Sequence, residues 1–466
     1  MLKELATTVD HRTPLYEVLD IEEALFHETY RTFKGKLVER DNWTMEKQAR
    51  ELVLPISRIL GTHGGYEEWR DEVVEIRKKS GVYKEGDNEI LRRLGKELIE
   101  NLTDYHFPVV TLQSRTPVEA VCMIFETLNR TGVKLSVFDL SVARLYASDI
   151  KLRDAWEEAR SESTLFNEYW IDPYYLLQVV ALRCTRKGMG ECKRGTVLKL
   201  EAEDYHKYWK TSVEGFAEGL KILRENCGVL TPDWLPYATF LVPFAAIIAD
   251  TKESHHGYEI AGWKDKLQRW FWASTFAQSY ENAANSVSKN HYVEIKKWLE
   301  GGIKPQFLNE AQKALDTIDL QDITPRQRAR YKGLMCVILR KGIKDFYKAE
   351  TITPSKILSG EVNDHHIFPK AVFGKGEWGE IIDSIPNRTL IDERSNKIIR
   401  DKKPSDYIPI LQQECQPKTL NEIFGQHLIP IGEGSPTWND DLPLFLKYRT
   451  GILLKEAKEL AGGSDI

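Results

Sequence analysis

The sequence predicts a mainly α protein: a large helical region followed by a C-terminal α+β domain. Three observations predict it. Between about residues 112 and 147 apolar positions recur on one face of capped helical segments. From 165 to 345 the aromatic residues fall at helical spacing, as in WFWASTFAQSY, HYVEIKKWLE and RYKGLMCVILRKGIKDFY. After residue 360 two short β-like runs flank a wide glycine-containing loop and lead into a short helix.

At 466 residues the chain has room for two or three cores. A hydrophobic fraction of 42% and a charged fraction of 29%, with no low-complexity tract, exclude a disordered chain. The formal net charge of −5 excludes a polycation, so contact with nucleic acid must come from a local basic patch. The N-terminus, MLKELATTVDHRTP, has no basic region followed by an apolar stretch and does not read as a signal peptide. The longest apolar run, LPYATFLVPFAAIIAD, is broken by Pro236 and Pro243 and is too short to span a bilayer. It predicts a buried helix or helix pair and no membrane partner. Six scattered cysteines (Cys122, Cys184, Cys192, Cys227, Cys336, Cys415) form no C-x-x-C pair, which predicts a cytoplasmic protein without a disulfide scaffold or zinc knuckle.

In chain order, residues 1 to about 105 alternate short helical patterns with polar loops. The stretch LDIEEALFHETYRTFKGKLV reads as a strand end running into irregular structure. With no domain-sized core in view, residues 1–110 are expected to be the remnant of a larger module. A helix is predicted from Thr116, with Pro117 at its first position, Glu119 completing a capping box and Val118, Val121, Phe125 and Leu128 on one face. It stops at Asn129–Gly132. A second cap, Ser136 with Asp139, precedes an apolar stripe of Leu140, Ala143, Tyr146 and Ala147. This helical corner is no DNA reader by its pattern alone. The aromatic stripes that follow predict core rather than a base-stacking platform, and His255-His256 predicts a solvated loop. Composition changes at TITPSKILSG, residues 351 to 360, which sets expected domains of 111–350 (helical) and 351–466.

The last segment opens NDHHIFPKAVFG. A short apolar run follows the two histidines, then a loop with Gly374 and Gly376, and Pro369 marks where the first strand leaves regular pairing. A second run spans Arg388 to Ile391 after Asn387, and Asp392 caps a helix, ERSNKIIR, that ends before Pro404. A β–loop–β–α unit with these residues suits phosphodiester hydrolysis with one divalent ion, which needs a base for water and a cation for phosphate charge. Neighbours on a strand point to opposite sides, so the two histidines divide their work unless the strand twists or bulges. His366 is placed toward water and His365 toward a metal at the side. Asn396 supplies an oxygen ligand from the helix, and Asn387 ties the loop through its side chain. Oxygen-rich ligation with one imidazole fits Mg²⁺ or Mn²⁺.

H-H-I-x-P, then N-R-T-L, then a second Asn nine residues after the first, resembles the HNH (ββα-metal) nuclease motif. It is most similar to the nuclease domain of GmrSD-like, modification-dependent type IV restriction endonucleases. The resemblance implies His366 as general base, Asn387 as the loop-fixing residue, and His365 and Asn396 as metal ligands. The family often has Asp where His365 stands, so Asp364 remains a rival ligand. Downstream, KPSDYI, GQHLIPI and DDLPLFLKYRTGILLKEAKEL resemble the domain's helical tail; upstream, IFETLNRTGVKLSVFDL and WFWASTFAQSYENAANS resemble the family's earlier segments. The likeness covers roughly residues 105 to 466. Lys370, Arg388, Lys397, Arg400, Lys402 and Lys403 are expected to meet DNA. Six basic residues face three acids between 388 and 403, although 351–466 as a whole holds 14 basic and 17 acidic residues. Arg449 is expected at the surface of the C-terminal helix.

The chain departs from the family in one respect. It carries neither the Q-R-x-x-x-W element nor the D-G-Q-Q-R motif associated with nucleotide hydrolysis; the nearest string, PRQRARY, lies at 325–331. It reads as beginning just downstream of that motif, so nucleotide hydrolysis is not expected of it. The implied function is a metal-dependent DNA endonuclease in restriction or defence, and one site per chain implies nicking, or double-strand cutting only as a homodimer. Two alternatives stay open: a non-catalytic DNA-binding or regulatory subunit acting with a separate NTPase or sensor subunit, and a toxin-like nuclease without modification readout.

Overall fold

The computed structural model describes residues 8–10, 13–20, 36–39, 44–55, 65–100, 124, 136–254, 262–414, 417–432 and 434–462. The helix expected at 116–128 (all but Ile124) and His255-His256 lie outside them. The described residues are mainly α with a small amount of antiparallel sheet, as the sequence predicts. The chain divides into two compact units, Met1–Ser114 and Arg115–Ile466.

In the first unit, β1 (Thr8–Asp10), β2 (Thr13–Asp20), β3 (Lys36–Glu39) and β4 (Val53–Pro55) form an antiparallel sheet in which β2 pairs with each of the others. The helices α1 (Met45–Glu51), α2 (Tyr66–Lys79) and α3 (Asp87–Leu94) bring together Ala49, Leu52, Leu54, Trp69, Val73, Leu91 and Leu94. A small core thus exists where sequence patterning shows none. A buried ion pair, Arg77 Nε to Asp87 Oδ2 at 2.7 Å, ties α2 to α3.

In the second unit, α4 (Val137–Tyr146) starts with the predicted capping box of Ser136 and Asp139. Its buried face is Phe138, Ser141 and Leu145, whereas Tyr146 is 71% exposed and Ala143 and Ala147 are exposed. The expected stripe is therefore corrected. The apolar face begins inside the first turn at Phe138, and later apolar residues fall beside it. Next come α5 (Leu152–Glu162), α6 (Pro173–Arg183), α7 (Ala202–Cys227) and α8 (Leu241–Ser254). The run around Pro243 is α8, preceded by a 3-10 turn at Ala238–Phe240, and its residues 241 to 249 are all buried. Proline is tolerated there because the first-turn N–H groups have no helical partner. α7 and α8 approach closely at Gly215, where an added Cβ would stand 2.6 Å from the Ala245 carbonyl oxygen. α9 (Trp263–Phe276), α10 (Ala284–Leu299), α11 (Phe307–Thr317) and α12 (Arg328–Leu339) complete the helical layers. Trp270, Phe271, Trp272 and Phe276 are buried, so this aromatic stripe is core, as expected.

After residue 360 come β5 (Val362–His366), β6 (Arg388–Asp392), α13 (Glu393–Ile399), α14 (Pro404–Glu414), α15 (Pro417–Gln426) and α16 (Leu442–Gly462). Asp392 caps α13 by accepting from the Arg394 N–H at 2.8 Å. The histidines end the first strand rather than precede it. A second core gathers Ile367, Phe368, Ile391, Ile399, Tyr407, Phe424, Phe445 and Leu446. α16 joins the two cores, with Phe445 and Leu446 in the second and Leu453, Ala457 and Ala461 in the larger helical one. Among the described residues no helix is long and apolar enough to cross a membrane.

Candidate functional site

β5 and β6 pair in an unshifted antiparallel register that sets Asp364 opposite Leu390, His365 opposite Thr389 and His366 opposite Arg388. Side chains alternate along a strand, so Asp364 and His366 take one face while Asn363 and His365 take the other. The two faces meet different cores: Leu390 belongs to the helical core and Ile391 to the second. The two histidines therefore work in different surroundings.

On the second-core face, His365 is 6% exposed, and its Nδ1 lies 2.8 Å from Asn396 Oδ1 on α13. Its Nε2 is buried without a partner. Burial pushes the imidazole down to about 4, against the pull of Asn396, so the ring is neutral at physiological pH, the state a metal ligand requires. A separation of 2.8 Å suits a hydrogen bond. It also suits two donors on one edge of an octahedron, about 2.9 Å for Mg²⁺ with ligands at 2.0–2.1 Å. By that spacing His365 and Asn396 are the two side chains that would hold such an ion. Asp364 does not join it. Its Oδ2 accepts from the Tyr331 hydroxyl of α12 at 2.5 Å, and its Oδ1 accepts from Arg388 Nε at 2.9 Å. Among the described residues no group of three or more His, Cys, Asp or Glu is placed to hold a metal.

Asn387 is wholly buried at the foot of β6. Its Oδ1 accepts from the Phe368 N–H at 2.8 Å, and its Nδ2 donates to the Phe368 and Ile382 carbonyls at 3.0 and 2.9 Å. One amide thus joins the two ends of the loop between the strands, which holds the end of β5 and its histidines in place.

His366 sits at the mouth of this loop, its side chain 22% exposed. Its Nε2 is 2.8 Å from Asp383 Oδ1, and Lys370 Nζ takes the other oxygen of that carboxylate at 2.5 Å. Arg388 Nη1 stands 2.9 Å from Nδ1 and 2.6 Å from Nε2. Burial, then the Arg388 charge, hold the His366 pKa below its ordinary value against the pull of Asp383, so this ring too is neutral and free to accept a proton. Arg388 itself is half-buried, and although burial opposes its charge, Asp364 and then Tyr331 outweigh that and hold its pKa high.

The basic residues expected to meet DNA are not alike. Lys370, Lys397, Arg400 and Lys403 are exposed, with Lys397 paired to Glu393 at 2.7 Å. Lys402 is half-buried and donates to the Ile398 carbonyl at 2.6 Å. The Arg388 side chain is only 11% exposed and is anchored to Asp364, so it lines the site rather than an outer basic face. Arg449 overturns the expected surface position. It is 0% exposed and donates to the carbonyls of Leu428, Pro386, Arg388 and His427. Its place on α16 faces the strand pair, not solvent.

Three neighbours escaped sequence reasoning: Asp383, Tyr331 and Asp345. Asp383 lies in an irregular loop, and the other two precede residue 351; no periodicity or spacing ties any of them to the histidines.

An uncharacterized protein of Methanocaldococcus jannaschii is 27% identical to this chain over 422 residues, which cover 86% of the chain and 67% of that protein. No family model matches the chain.

Proposed function

We propose that the chain is a metal-dependent endonuclease of the HNH type that hydrolyses phosphodiesters in DNA. The observation that carries the reading is the divided histidine pair. His365 converges on Asn396 at 2.8 Å, while its chain neighbour His366 is held on the opposite face beside Asp383 and Arg388. His366 takes a proton from the attacking water as the water oxygen forms its bond to phosphorus. The bond from phosphorus to the 3′ oxygen then breaks, its electron pair leaving on that oxygen, which is protonated from solvent. His365 and Asn396 would hold Mg²⁺ or Mn²⁺, which when bound would supply charge stabilisation at the phosphate and the leaving oxygen. Arg388, anchored through Nε, keeps Nη1 beside the ring where phosphate charge would gather. Lys370, Lys397, Arg400, Lys402 and Lys403 are the proposed contacts to the backbone. A restriction or defence role against foreign DNA, modified or not, follows from the resemblance of the motif. One such site per chain implies nicking, or double-strand cutting as a homodimer, and the scattered cysteines imply the cytoplasm.

The test is incubation of the full chain with supercoiled plasmid, modified and unmodified, with Mg²⁺ or Mn²⁺ and with a His366→Ala control. We expect nicking or linearisation that EDTA abolishes and that falls at least about 100-fold in the variant. Equal cleavage by the variant would remove His366 as base. No cleavage of either plasmid, with or without NTP, would favour a regulatory subunit that works with a separate NTPase. Indifference to modification would favour a toxin-like nuclease.

A further inference from the structure

We propose that Asp383 is a positioning residue that fixes His366 in one tautomer, with the proton on Nε2 and the lone pair on Nδ1, and that Nδ1 is therefore the nitrogen that receives the proton of the attacking water. This deepens the nuclease reading and rests on it for its catalytic meaning.

The argument begins with donors and acceptors. A carboxylate accepts only, so the 2.8 Å contact between Asp383 Oδ1 and His366 Nε2 requires the hydrogen on Nε2. In a neutral imidazole the other nitrogen then carries the lone pair. The second oxygen of Asp383 is taken by Lys370 at 2.5 Å, which keeps the carboxylate ionised and turned with Oδ1 toward the ring. Although burial opposes its charge, Lys370 and His366 hold the Asp383 pKa below the ordinary value.

Arg388 does not occupy the lone pair. The two ring nitrogens flank Cε1 and their in-plane bonding directions diverge. An atom 2.9 Å from Nδ1 and 2.6 Å from Nε2 cannot lie in line with either. Nη1 therefore stands over the ring as a charge contact, out of line with the Nδ1 lone pair. As Nδ1 takes a proton, the ring becomes an imidazolium that Asp383 stabilises through Nε2, while Arg388 disfavours the charge and promotes its return to solvent after each turnover. Proton and charge thus balance within the triad, with no further reactant.

The test pairs spectroscopy with kinetics on the full chain. The protein is labelled with ¹⁵N-histidine, and His366 is assigned by its absence from a His366→Gln sample. At neutral pH we expect the wild type to show a protonated Nε2 and an unprotonated Nδ1 at His366. An amide can accept or donate, so Asp383→Asn should mix the two tautomers. It should also lower kcat for plasmid cleavage by about 10–100-fold with KM unchanged. Asp383→Glu, which keeps an acceptor-only group, should recover the wild-type tautomer and most of kcat; this rescue separates positioning from a general loss of fold. A wild type with the proton on Nδ1 overturns the proposal. So does an Asp383→Asn protein that keeps both the tautomer and the rate. If the tautomer follows Asp383 as expected but the wild type cuts no DNA, the assignment stands and the nuclease reading falls.

Discussion

Arg449 illustrates how one buried charge organises its surroundings. Its guanidinium lies inside the second unit with no carboxylate partner among its hydrogen bonds, and it serves four backbone carbonyls instead. Burial lowers its pKa to about 9, which still leaves it charged at neutral pH. Two of those carbonyls, of Pro386 and Arg388, flank Asn387, so the same side chain supports the foot of β6 from behind. Arg449→Met should strand these acceptors, each worth about 1–3 kcal/mol when buried without a donor. We expect a stability loss on the order of 3 kcal/mol or more, read as a lower urea midpoint by circular dichroism. A midpoint equal to wild type would mean the carbonyls find other donors. The histidine pair shows the opposite case. The opposite directions of its two rings are legible in the sequence because strand alternation alone separates adjacent side chains. Which atoms each ring meets is not, because Asn396 is 31 residues from His365 and Asp383 is 17 from His366.

At the scale of elements, α13 has only seven residues and would be marginal alone. Its start is held by Asp345, a buried carboxylate that accepts from the Asp392 N–H at 2.9 Å and the Ser395 hydroxyl at 2.7 Å. The same carboxylate accepts from the N–H groups of Tyr347 and Lys348 at 3.0 Å, so it also closes its own turn. Asp345→Ala should therefore loosen the helix that carries Asn396. We expect faster hydrogen exchange at α13 amides and cleavage reduced more than DNA binding, with about 1–3 kcal/mol lost from stability. Unchanged exchange in α13 would refute this. The existence of β5, β6 and α13 was readable from turn residues and the Asp392 cap, because these signals are local. The stripe assigned to α4 was misread because several apolar residues competed, and only packing against the helical core selected Phe138, Ser141 and Leu145.

At the scale of the molecule, the composition change near residue 351 does not mark a gap in contacts. The Ile385 N–H donates to the Ile323 carbonyl at 2.7 Å, Tyr331 holds Asp364, and Asp345 holds α13. α16 packs against α9, α11 and α12. We therefore expect a fragment of residues 115–466 to unfold in a cooperative transition, whereas 351–466 alone should aggregate or lack one. Calorimetry of both fragments checks this, and a cooperative transition from 351–466 would show that the strand unit is self-sufficient. By itself the sequence determined the mainly α class, the strand–loop–strand–helix order and the separate directions of His365 and His366. These follow from caps, periodicities and alternation that act within a few residues. Only the tertiary structure decided that Asp364 serves Tyr331 and Arg388, that Asp383 holds His366, and that Arg449 is buried. Each depends on groups far apart in the chain brought together by core packing, for which no local spacing exists.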